Sequence, residues 1–170
     1  MRFLEPEQYQ HLAERHYDIL SKRIRLVLPL ATVEHIGSSA IHGAISKGDL
    51  DIYVAVDVME LKAAVAKIER LGFRVKQGSL RTESLCPFEL DPNANKGRST
   101  NALTEIDIGI QLVARNSQFE FFLKFRDMLN ANPQLRDRYN LLKLSSVSLD
   151  ADDYRKIKSE FIESLLDGNQ

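Results

Sequence analysis

Apolar positions in this chain recur at two spacings, and each spacing predicts a different element. Tyr9, Leu12, Ala13, His16, Leu20, Ile24 and Val27 fall on one stripe of a helix that Pro29 stops. Leu61, Ala64, Val65, Ile68 and Leu71 make a second helix that Gly72 can end. Phe119, Phe122, Leu123 and Leu129 mark a third, Asn132-Pro133 caps and opens a fourth, and Asp150 caps a fifth carrying Tyr154, Ile157, Phe161 and Leu165. Aromatic residues at that spacing read as core, and His16 as a packed or rim residue. Between the helices the period drops to two. Leu50, Ile52, Val54 and Val56 alternate with Asp49 and Asp51, and Ile106, Ile108, Ile110 and Leu112 alternate with Glu105, Asp107, Gly109 and Gln111. Short strands are also predicted near residues 33 and 74. Residues 77–100, with Gly78, Pro87, Pro92 and Gly97, read as a loop able to cover a site.

The alternation of strands and helices predicts an α/β (α+β) fold: a small mixed sheet from the segments near residues 33, 50, 74 and 105, flanking helices, and a helical carboxyl-terminal part. The 170 residues suffice for one substantial core and predict a single domain over 1–170. With 23 basic and 24 acidic side chains the formal charge is −1, so no extended nucleic-acid footprint is expected. One cysteine, Cys86, excludes an intrachain disulfide framework and reads as a buried thiol. No long apolar run or small-residue cleavage site marks the amino terminus, so the expectation is a cytoplasmic protein without a membrane span.

Candidate chemistry sits at the first strand pair. Val33-Glu34-His35-Ile36 leads into Gly37-Ser38-Ser39, and Asp49-Leu50-Asp51 follows after a polar stretch ending in Ser46-Lys47-Gly48. On an extended segment Asp49 and Asp51 point to one face and repel each other unless a cation or a proton lies between them. Mg²⁺ (or Mn²⁺) takes such hard oxygen ligands and completes its shell with water and substrate phosphates. Gly37 lets the backbone approach a phosphate, and Ser38 with neighbouring amides supplies donors. If the strand holding Asp107 lies beside the Asp49–Asp51 strand, Asp107 completes a three-carboxylate cluster, with Glu105 as the alternative third member. Taken alone, the pair also fits the solvated face of an ordinary edge strand.

Several blocks together resemble the GrpB family, a branch of the polymerase-β-like nucleotidyltransferases. Gly37-Ser38 followed by Asp49-x-Asp51 looks like the superfamily signature, and Glu34 through Ile41 like the GrpB form of it. Phe125-Arg126-Asp127-Met128-Leu129 with Asn132-Pro133, Tyr139 and Lys143 resembles a second family block, and Tyr154 through Lys158-Ser159 to Phe161-Ile162 a third. The chain departs from the family where typical members keep an apolar residue at Asp49, a His-x-His-like strand at Glu105-x-Asp107 and a proline at His42. The segment from Cys86-Pro87-Phe88 through Lys96-Gly97-Arg98 also differs.

The resemblance implies a metal-dependent nucleotidyltransferase that moves a nucleoside monophosphate from a nucleoside triphosphate to an unidentified acceptor. Asp49, Asp51 and Asp107 would then be catalytic and metal-binding. Gly37, Ser38 and Ser39 would hold nucleotide, with Lys47, Arg126 and Lys158 as phosphate contacts that read equally as surface cations. Two alternatives share the fold: a catalytically inactive nucleotide- or RNA-binding module, and a protein-interaction scaffold.

Overall fold

The computed structural model describes residues 2–93 and 106–168. Helix α1 (Pro6–Val27) leads into strand β1 (Thr32–Ile36), a single 3₁₀ turn over Ser38–Ala40, and strand β2 (Leu50–Val56). Helix α2 (Leu61–Arg70), strands β3 (Phe73–Val75), β4 (Leu85–Leu90) and β5 (Ile108–Ala114), and helices α3 (Phe121–Ala131), α4 (Pro133–Ser145) and α5 (Ala151–Leu166) follow. The sheet order is β1-β2-β5-β4-β3, with β2 and β5 parallel and every other pair antiparallel.

The alternation in β2 and β5 sorts the sheet's two faces as expected. Leu50, Ile52, Val54, Ile108, Ile110 and Leu112 all join the core under α1 and α2, with Leu20, Ile24, Ala64 and Ile68. Each such buried side chain contributes about 1.5–3 kcal/mol. Register then fixes the opposite face, because Asp51 stands across from Gly109 on β5 and from Ile36 on β1. Farther along this face Ile36, Tyr53, Ala55, Leu85, Val113 and Phe119 form a second cluster. Its polar end is left open at Asp49 and Asp51.

The segment 77–100 is not wholly loop. Its residues Leu85–Leu90 form β4, with Cys86 buried as expected. Pro87 had argued for a loop, since proline breaks a ladder in a central strand. Here Pro87 turns its carbonyl toward Lys76, whose N–H donates to it at 2.9 Å, just past the last β3–β4 pair. A strand residue's nitrogen and carbonyl point to the same side, so the missing N–H costs the ladder to β5 nothing. Strand β5 begins at Ile108, later than the alternation suggested, and Glu105 lies outside the described residues with Lys96, Gly97 and Arg98.

The carboxyl-terminal helices form at the predicted caps. Asn132 Oδ1 accepts from the N–H groups of Gln134 and Leu135, and the Asp150 side chain from those of Asp152 and Asp153. Phe125, Leu129, Leu135, Tyr139 and Leu165 bury against Ile41 and Ala44, which ties these helices to the chain leaving the turn. Two asparagine amides reinforce the tie. Asn130 bonds the His42 N–H and the Ala40 carbonyl, and Asn140 bonds the Ile45 N–H and the Gly43 carbonyl. The helical part therefore fixes the loop between the turn and β2.

Candidate functional site

Asp51 occupies a slot made by two glycines. A Cβ at Gly37 would lie 2.7 Å from Asp51 Oδ2, and a Cβ at Gly109 would lie 2.9 Å from Asp51 Oδ1. Gly37 also takes φ 72° and ψ −171°, a conformation essentially confined to glycine. The turn at Ser38–Ala40 therefore leaves β1 directly over the carboxylate. Asp49 sits just before β2, its Oδ1 accepting from Ser46 Oγ at 2.8 Å. Burial, and then the charge of Asp49, push the Asp51 carboxyl up to about 6, so this pair of acids holds a proton more readily than ordinary carboxylates do.

Cations surround the pair. Asp49, Asp51, Ser38, Lys143 and Lys158 line a narrow cavity of about 50 Å³, closed on its other side by Phe3, Ser46, Lys47 and Tyr154. Lys47 lies with its Nζ 4.8 Å from the Tyr154 ring centroid. Lys158 on α5 is held charged by Tyr139, Tyr154, Asp51 and Asp49, which outweigh its burial. Lys143 on α4 is 1% exposed; its ammonium donates to Ser38 Oγ at 2.7 Å and to the Ile45 carbonyl. The narrow cavity continues past Lys47, Asp49 and Asp51 into a wider one of about 660 Å³ walled by Arg74, Lys76, Glu89, Asp107 and Gly109.

The structure thus brings together Gly37, Ser38, Lys47, Asp49, Asp51 and Lys158, adds Asp107 on the wall of the wider cavity, and sets Ser39 and Arg126 apart. Asp107 is exposed on the wall of the wider cavity, at the frayed start of β5, where its carbonyl accepts from the Leu50 N–H at 2.9 Å. It does not close a three-carboxylate cluster: among the described residues no group of three or more His, Cys, Asp or Glu side chains is placed to hold a metal ion. The register, continued one residue back from the Leu50–Ile108 pair, sets Asp107 beside Asp49 on the face that Asp51 and Gly109 share, so its carboxylate lines the same cavity without joining the pair in one ligand group.

Ser39 and Arg126 lie on the other side of the turn. There a cavity of about 440 Å³ runs along the free edge of β1, lined in part by Tyr17, Glu34, His35 and Asn130. Ser39 is buried with its Oγ 2.9 Å from His35 Nε2, and His35 stacks on Tyr17. Arg126 donates to Glu34 at 2.9 Å, to the His35 carbonyl at 2.8 Å and to Asp127 at 2.8 Å. Its Nη1 holds α3 to β1 and its Nε meets Asp127, and the guanidinium lines this cavity on the side of the turn away from the carboxylates.

Sequence reasoning missed Lys143 and Gly109 as parts of this site. The signal for Gly109 was a glycine in the middle of an otherwise β-branched strand, which often marks a close approach. Lys143 carried a weaker one, a lysine four residues after a core tyrosine and so on the buried side of its helix.

None of the described helices is long and apolar enough to cross a membrane. The sequence is similar to a UPF0157 protein of Vibrio cholerae, 43% identical over 166 residues that cover 98% of this chain and 82% of the relative. A UPF0157 protein of Halalkalibacterium halodurans is 31% identical over 131 residues, 75% of this chain and 60% of that one. The fold is similar to the crystal structure of the conserved protein GrpB from Enterococcus faecalis, with a TM-score of 0.68 at 19% identity over 97% of this chain and 99% of that one. It is also similar to the Cid1 poly(U) polymerase with MgGTP bound, with a TM-score of 0.54 at 16% identity over 81% of this chain and 42% of the polymerase. The fold is accordingly of the nucleotidyltransferase type. The GrpB family model matches residues 5–168, the span that carries the turn, the paired aspartates and the clamping helices, and the chain belongs to the GrpB family.

Proposed function

We propose that this protein is a metal-dependent nucleotidyltransferase, moving a nucleoside monophosphate from a nucleoside triphosphate to an acceptor and releasing pyrophosphate. The observation that supports this reading most is the Asp51 carboxylate set between Gly37 and Gly109 with Asp49 beside it. Two acids brought together where one favours a proton are a poor structural arrangement and a good cation receptor. The residues fit Mg²⁺ as a partial ligand set: Asp49 and Asp51 would hold it, and water and substrate phosphates would fill the remaining positions. When bound, the ion supplies charge neutralisation at the reacting phosphates.

The chain's own groups do the rest. Ser38 and the amides of its turn receive the triphosphate, and Lys47 and Lys158 neutralise its oxygens. Asp107, exposed on the wider cavity, accepts the proton of the acceptor hydroxyl. The wider cavity is the room available to the acceptor. A second reading, a nucleotide-binding module without turnover, is favoured by the absence, among the described residues, of a group of three or more His, Cys, Asp or Glu placed to hold a metal ion.

Isothermal calorimetry of ATP, GTP, CTP and UTP, with and without Mg²⁺, tests both readings on wild type and Asp49→Ala/Asp51→Ala. Metal-dependent binding lost in the double variant is the expected result. Pyrophosphate release in an acceptor screen then separates the transferase from the inactive module. No binding of any nucleotide by the wild type would overturn both.

A further inference from the structure

We propose that Lys143 is a positioning residue that aims the Ser38 hydroxyl at a phosphate of the bound nucleotide, a role that rests on the nucleotide reading above. A lysine 1% exposed must find partners for all its donors, since an unmet charged donor in the interior is costly. Lys143 finds three. Its Nζ donates to Ser38 Oγ at 2.7 Å and to the Ile45 carbonyl, and it lies 4.0 Å from the centroid of the Tyr139 ring. With its donors so committed, Lys143 does not itself reach for a ligand.

The consequence falls on Ser38. A serine hydroxyl carries one proton, and by accepting from Lys143 Ser38 is left with that proton to give elsewhere. Among the described residues none takes it. Ser38 lines the narrow cavity with Asp49, Asp51 and Lys158, and the one nearby serine that does donate to a carboxylate is Ser46, to Asp49. The Ser38 backbone is held too, because the single Tyr9 O–H proton is shared between the Ala44 carbonyl at 2.7 Å and, more weakly, the Ser38 carbonyl at 3.2 Å. Side chain and main chain of Ser38 are thus both fixed from behind, with the O–H directed into the space where the nucleotide reading puts phosphate. Burial, and then the charge of Lys158, push the Lys143 ammonium well down, and either form keeps one N–H for Ser38 Oγ and one for the Ile45 carbonyl, the amine as the weaker donor.

A double-mutant cycle on MgATP and MgUTP affinity tests the assignment, using Ser38→Ala, Lys143→Met and the pair. Each single variant is expected to weaken binding about tenfold, the scale of one charge-assisted hydrogen bond. The pair is expected to bind within about twofold of Ser38→Ala alone, because without the hydroxyl Lys143 has nothing to aim. Losses that multiply to about a hundredfold would mean that Lys143 touches phosphate directly and would overturn the proposal, as would a Lys143→Met protein that binds like wild type. Thermal unfolding checks each variant's fold, and if the methionine variant does not fold, Lys143→Gln takes its place in the same cycle. Failure of the wild type to bind either nucleotide would defeat the functional reading itself, an outcome distinct from additive losses in a protein that binds.

Discussion

The turn at Ser38–Ala40 separates two clusters of charge built on opposite principles. Behind it the charges are paired: Arg126 reaches Glu34, Asp127 and the His35 carbonyl, and His35 meets Ser39 and stacks on Tyr17. In front, Asp51 fills a slot that two glycines keep open, Asp49 stands beside it, and lysines line the cavity around them. A satisfied network stiffens a fold, whereas like charges left together store free energy that a ligand can release. The back of the turn holds the loop and the front is the candidate site, although both are cavities lined by ionisable groups.

The largest break in that contrast comes from filling the slot. Gly37→Ala is expected to destabilise the fold by about 4 kcal/mol, roughly half from a backbone conformation only glycine tolerates and half from the contact with Asp51. Urea denaturation checks the total. Asp51→Ala as the background should return most of the second half, since Oδ2 at 2.7 Å is gone while the Cβ at 3.1 Å stays. A penalty as large in that background would mean the slot is not shaped by the carboxylate.

Opposite pH slopes sharpen the comparison next. Asp51 is raised from 3.8 to about 6, so between those values the native state binds more protons than the unfolded one, and stability falls as pH climbs. His35 is lowered from 6.5 to about 4 by burial and then by Arg126, so the unfolded state binds more protons and stability rises over nearly the same window. The two trends mask each other in the wild type. Relative to wild type, Asp51→Asn should gain about 2 kcal/mol at pH 7 and almost nothing at pH 4, after discounting for partial exposure. His35→Gln should show the reverse sign, losing its advantage over wild type as pH rises from 4 to 6.5. Denaturant midpoints at four pH values decide the matter, and parallel curves for the two variants would dissolve the contrast.

The sequence made much of the front legible and little of the back. Period-two alternation placed Asp49 and Asp51 on one face because a strand has only two faces. Caps at Asn132 and Asp150 were readable because they depend on neighbours two and three residues away. Strand β4 was hidden by Pro87, whose acceptability depends on where a partner strand ends. The third carboxylate was legible only in part, because alternation put Asp107 on a polar face while the pairing of β5 with β2, which sets Asp107 one step before the Leu50–Ile108 pair, is made by residues far apart in the chain. Ser39 and Arg126 were expected at the nucleotide on the strength of a family resemblance; Ser39 instead faces His35, since successive residues of a tight turn point to different sides of it, and Arg126 on α3 is drawn to Glu34 on β1.

Arg126 supplies the smallest and most discriminating test. Arg126→Met removes the charge that meets Glu34 and the His35 carbonyl, and it is expected to destabilise by about 1–2 kcal/mol, limited because Glu34 is 43% exposed and can recruit water. The His35 imidazole should also recover part of its basicity, because the nearby guanidinium is one cause of its lowered pKa. Nucleotide affinity should stay within about twofold, since the guanidinium is engaged on the far side of the turn and less than a full hydrogen bond's worth of change reaches Ser38. Calorimetry and urea denaturation on one variant therefore report on the two sides separately. A tenfold loss of affinity at unchanged stability would move Arg126 into the site and erase the distinction between the closed side and the open one.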